Sequence, residues 1–94
     1  MKKKRPAQTE GDEPHHQLYE AISLIKSAEE AKHFLLDLCT PAELQTMADR
    51  WLVVDPIKQG TPYRKIYDDT GVSVTTIGRV ARSINEGNDG YNTI

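Results

Sequence analysis

The stretch Thr61-Pro62-Tyr63-Arg64-Lys65-Ile66-Tyr67-Asp68-Asp69-Thr70-Gly71-Val72-Ser73-Val74-Thr75-Thr76-Ile77-Gly78-Arg79-Val80 decides how the chain reads. Thr61-Pro62 opens a helix: the hydroxyl caps it, and proline sits where its missing N–H leaves no bond unmade. That helix is expected to end near Asp69. Gly71 follows as a tight turn, because glycine adopts a positive φ that a side chain resists. Ser73 then caps another helix, expected to run to about Asn85. Ile66, Val72, Ile77 and Val80 are spaced to hold the two helices together, so the segment from Thr61 to Ile84 reads as a helix-turn-helix. Tyr67 is the awkward member, since a tight crossing of the two helices wants a small residue there.

The outward face of the later helix would carry Val74, Thr75, Thr76 and Gly78, flanked by Arg79. Small and polar residues let a helix enter a major groove, where threonine can hydrogen-bond a base edge or touch a thymine methyl. Arg64, Lys65 and the helix end at Ser73 can hold phosphates, which fixes register without reading sequence. Charge supports this locally. The chain has a formal net charge of −2. Its acids Glu20, Glu29, Glu30, Asp37, Glu43, Asp49 and Asp55 precede the motif, whereas over residues 58 to 82 Lys58, Arg64, Lys65, Arg79 and Arg82 outnumber Asp68 and Asp69. A local basic face suffices for phosphate contact. The same residues also fit a structural helical hairpin, so a dimerisation or protein-interaction module with weak or no DNA binding stays open as the alternative.

Three more helices are expected upstream. Leu18, Ile22 and Ile25 recur at helical spacing within a helix from about His15 to Lys26. Ser27-Ala28-Glu29-Glu30 reads as a capping box for a helix with Ala31, Phe34, Leu35 and Leu38 on one face. Thr40-Pro41-Ala42-Glu43 reads as a second capping box, ahead of the stripe Leu44, Met47, Ala48, Trp51 and Leu52. Pro56 should kink or end that helix near Asp55. Residues 1 to 14 mix charges and two prolines without apolar period and are expected to be a disordered arm, followed by one domain over 15 to 94. No alternating run is long enough for a strand, so the fold class is all-α.

The composition excludes several classes. No apolar run approaches the roughly 20 residues of a membrane span. The basic start is not followed by the apolar stretch of a secretory signal. With 1 cysteine, Cys39, no intrachain disulfide can form, which fits a reducing cytoplasm. His15, His16 and His33 find no partners at metal-ligand spacing, so neither metal nor cofactor is expected. Glu29-Glu30 and Asp68-Asp69 read as helix-end acids rather than an acid/base pair, and nothing suggests an enzyme.

From about Leu18 to Tyr91 the chain resembles the Trp repressor superfamily, in its YerC/YecD-like branch. The resemblance rests on Phe34 to Leu38 running into Cys39-Thr40-Pro41-Ala42-Glu43-Leu44, then Ala48-Asp49-Arg50-Trp51, then Gly71 through Val80, and finally Asn85-Glu86-Gly87-Asn88-Asp89-Gly90-Tyr91. It implies an all-helical domain with a helix-turn-helix, an intertwined homodimer, and a sequence-specific regulator of transcription, read as a repressor although the sequence does not fix the sign of regulation, on double-stranded DNA. A two-fold dimer of this kind reads half-sites about 34 Å apart. A DNA-targeting subunit of transposase type is a further option of the same class. Carried over one residue at a time, Thr40, Arg50, Arg79 and Ser83 correspond to the family's effector contacts. Val80 replaces the glycine that leaves room for an indole, Cys39 and Asp37 replace leucines, and a carboxylate is a poor neighbour for an amino-acid ligand. Tryptophan is therefore not expected as corepressor; Thr40 as a cap and Arg50 and Arg79 as surface or ion-pair residues need no ligand.

Overall fold

A computed structural model describes residues 13–94, and among these all regular structure is helical. The chain divides into two compact units, one ending at Leu38 and the other spanning Cys39–Ile94. Most of the expected N-terminal arm lies outside the described residues.

The first unit contributes α1 (Pro14–Ser23) and α2 (Ala28–Leu38). Proline occupies the first helical position of α1. The helix stops three residues short of the expected Lys26, with the backbone N–H of Leu24 and Ile25 turning back to the carbonyls of Ala21 and Ile22. Ile25 therefore leaves the helical stripe. The box before α2 forms with a shift of one residue. The Glu30 N–H donates to the Ser27 hydroxyl at 3.1 Å, while the Glu30 carboxylate accepts from the N–H of Lys26 at 2.9 Å rather than from Ser27. Neither helix contains a buried residue.

The second unit comprises α3 (Pro41–Leu52), α4 (Val54–Lys58), α5 (Tyr63–Thr70), α6 (Val74–Glu86) and α7 (Gly90–Thr93). The capping box at α3 closes fully: Glu43 N–H donates to the Thr40 hydroxyl at 3.1 Å, and Thr40 N–H to the Glu43 carboxylate at 2.8 Å. The break after α3 comes at Val53, earlier than the expected Asp55. Proline forbids the helical bond to the carbonyl four residues back and its ring crowds that carbonyl. For Pro56 that residue is Leu52, where α3 ends. Pro56 itself sits comfortably inside the short helix α4.

At α5 the cap falls one residue later than expected. Pro62, extended at φ −59° and ψ 143°, is the N-cap, and no side chain caps the helix. Gly71 ends α5 at φ 77°, its N–H bonded to the Tyr67 carbonyl at 2.8 Å. Thr70 tightens the same turn, donating to the Ile66 carbonyl at 2.7 Å and accepting from the N–H of Val72 at 3.1 Å.

Helix α6 is central to this unit, with α3, α4, α5 and α7 packed against it. The buried cluster is Val53, Val54, Ile66, Val72, Ile77 and Val80, with Ile57, Ile84 and Tyr91 against it. The four residues expected to hold the helix-turn-helix together are all in it. Val53 and Val54 enter from the break that Pro56 imposes. Trp51 and Leu52, placed by their spacing on a stripe for burial, are instead exposed. The C-terminal turn is more ordered than its composition suggests: Asp89 takes φ 68°, Asn92 donates to the Ile84 carbonyl at 3.3 Å, and Lys58 Nζ donates to the Tyr91 carbonyl at 3.0 Å. No described helix is long and apolar enough to cross a membrane.

Candidate nucleic-acid interface

The start of α6 is held by Ser73, whose hydroxyl accepts from the N–H of Thr76 at 3.2 Å. The two hydroxyls are also joined, Ser73 Oγ donating to Thr76 Oγ1 at 3.1 Å. Thr76 is accordingly half-buried and committed to the cap, whereas Val74 and Thr75 are exposed. With about 3.6 residues per turn, Ile77, Val80, Ala81 and Ile84 form the inward stripe of α6, which turns Thr75, Gly78, Arg79 and Arg82 outward. The N-terminal backbone N–H groups and the macrodipole favour negative charge at this end.

Helix α5 brings the other cations. Arg64 lies 3.9 Å from Asp68 and Lys65 lies 3.3 Å from Asp69, each pair one helical turn apart and well exposed. Exposed pairs of this kind are worth about 0–1 kcal/mol, so a phosphate can displace the carboxylate. Arg79 and Arg82 are exposed, and the salt bridges among the described residues involve neither. Tyr67 does not obstruct the crossing. It points to the surface and, with Arg64, Ser73 and Val74, lines an open groove of about 340 Å³. The sequence pattern could not show this, because the facing of a residue at the crossing depends on the phase of both helices.

The nominal effector residues are not brought together at the cavity beside Trp51 and Tyr91. A cavity of about 450 Å³ lies between Trp51, Ser83, Asn88 and Tyr91, where the Trp51 and Tyr91 rings stack with centroids 6.4 Å apart. Of the four nominated residues only Ser83 lines it. The Thr40 hydroxyl is engaged in its capping box, and Arg79 faces outward from α6. Arg50 is half-buried, with its Nε shielded from solvent and without a partner. Val80 turns its side chain into the core instead of the cavity. Cys39 is a free, half-buried thiol, and no group of three or more His, Cys, Asp or Glu among the described residues could hold a metal ion.

Comparison with known proteins agrees with the all-helical fold. The chain is 44% identical over 75 residues to YerC of Bacillus subtilis strain 168, a protein whose own role is uncharacterised, covering 80% of this chain and 72% of that one. The crystal structure of a candidate Trp repressor from Staphylococcus aureus superposes with a TM-score of 0.76 at 42% identity, over 82% of this chain and 77% of that one. A TrpR-like protein from Eubacterium eligens gives 0.79 at 37% identity, over 88% and 87% of the two chains. The family described as Trp repressor protein matches residues 13–94, and the chain belongs to it.

Proposed function

We propose that the protein is a sequence-specific regulator of transcription, a repressor, that works in the cytoplasm and binds double-stranded DNA as a homodimer through α6. The observation that carries this reading is the division of α6 into two faces. Ile77, Val80 and Ala81 are buried on its inner face, and its capped end and outer face offer Val74, Thr75, Gly78, Arg79 and Arg82. Thr75 and Val74 would meet base edges; Arg64, Lys65 and the helix end at Ser73 would meet phosphates, with Thr76 contributing through the cap it shares with Ser73.

Free tryptophan is not part of this proposal. Of Thr40, Arg50, Arg79 and Ser83, only Ser83 lines the cavity beside Trp51 and Tyr91, and the Thr40 hydroxyl already accepts a bond in its helix cap. Selection of bound duplexes from a random pool tests both points when run with and without tryptophan. Enrichment of one two-fold motif, equal in the two conditions and with affinity that falls steeply with salt, is the expected result. Failure to enrich any duplex at low salt sinks the DNA reading. The interaction-module reading would then stand, favoured by the exposed apolar side chains of α2 and α3 and by the pairing of Arg64 and Lys65 with acids.

A further inference from the structure

Tyr67 is outside the buried core and 47% exposed. It stands one turn after Arg64 on α5 and faces the first residue of α6, Val74, which is 51% exposed. The two side chains form apolar walls of the groove they share with Arg64 and Ser73. The Ser73 hydroxyl is committed to the helix cap. What remains is an apolar slot with a guanidinium at its rim, held only loosely by Asp68. That combination suits a methyl group attached to something that also carries a nearby negative charge. In the major groove the only base with a methyl is thymine, and its own backbone supplies the phosphate.

We propose that Tyr67 and Val74 form a slot that reads the 5-methyl group of a thymine, with Arg64 on an adjacent phosphate. The inference rests on the DNA-binding reading above and adds a specificity-determining residue, Tyr67, to it. The slot is continuous with the outward start of α6, so a duplex seated on Thr75 would pass it. Its contact is apolar, so its signature is sensitivity to one methyl group with no change in salt dependence.

The test uses the duplex enriched by the full chain. Each thymine is replaced by deoxyuridine, symmetrically in both half-sites, which deletes only the methyl. One position per half-site should lose affinity by about fourfold per methyl, the worth of one buried methyl group. Tyr67→Ala and Val74→Ala should each bind the thymine duplex more weakly and become indifferent to the methyl at that position. Tyr67→Phe should keep the sensitivity, because the ring and not the hydroxyl makes the contact. Both alanine variants remove exposed side chains, and unchanged helical circular dichroism checks that they fold. An enriched duplex without methyl sensitivity at any position, or sensitivity that survives both alanine variants, overturns the slot and leaves the DNA reading intact. If no duplex is enriched, both fall together.

Discussion

Gly78 stands inside α6, where glycine costs about 1 kcal/mol relative to alanine. A Cβ built there meets nothing within 4 Å. Packing within the chain therefore gives no reason for the missing side chain. Gly78 lies on the outer face with Thr75, Arg79 and Arg82, where, on the proposed function, a bare backbone would let DNA approach closely. Gly78→Ala should raise stability by about 0.5–1 kcal/mol in urea unfolding and weaken binding to the selected duplex. A variant that gains stability and binds as well as the wild type would show that this face is not against DNA. Gly71 is the opposite case, since its φ of 77° is required by the turn itself. That role was legible in the sequence because it is local. The surface position of Tyr67 was not, because it depends on where two helices cross.

Among the elements, capping chemistry was the most legible signal. The Thr40 box and the Ser73 cap form as expected, because each needs only residues within one turn. The end of α3 was harder to place. The sequence locates Pro56, but its steric effect lands at Leu52, four residues earlier, and so Val53 and Val54 were missed as core residues. At the interface the two helices of the motif should separate by their effects on binding. Thr75 is exposed, whereas Thr76 shares the cap, so Thr76→Ala would mix lost helix stability with lost recognition. Thr75→Ala should weaken the selected duplex by about 1–3 kcal/mol and leave random duplex nearly unchanged. Lys65→Ala should weaken both alike and reduce the salt slope by about one unit. Gel-shift titrations at several salt concentrations distinguish these patterns. Equal losses on both duplexes from both variants would place α6 outside the groove.

At the scale of the molecule, the periodic stripes of α1 to α3 were read correctly as apolar, yet they carry no buried residue. Tyr19, Leu24, Leu36, Leu38, Trp51 and Leu52 are each more than half exposed. A helical stripe tells that burial is needed but not which chain supplies it. The fully buried cluster, meanwhile, is confined to residues between Val53 and Val80. Burying one large apolar side chain contributes about 1.5–3 kcal/mol, so leaving this many in water forgoes a large share of the stability a small domain can muster. A second copy offers the same exposed apolar side chains, and a two-fold arrangement would let each copy cover the other's. Dimerisation has a thermodynamic signature separable from DNA binding. If folding and association are coupled, the midpoint of thermal unfolding rises with protein concentration, because mass action favours the associated folded state. Sedimentation at micromolar concentration should return twice the chain mass, and thermal unfolding over a hundredfold dilution should shift to lower temperature. A folded monomer at micromolar concentration, with a melting point independent of dilution, would refute the homodimer and with it the paired half-sites about 34 Å apart.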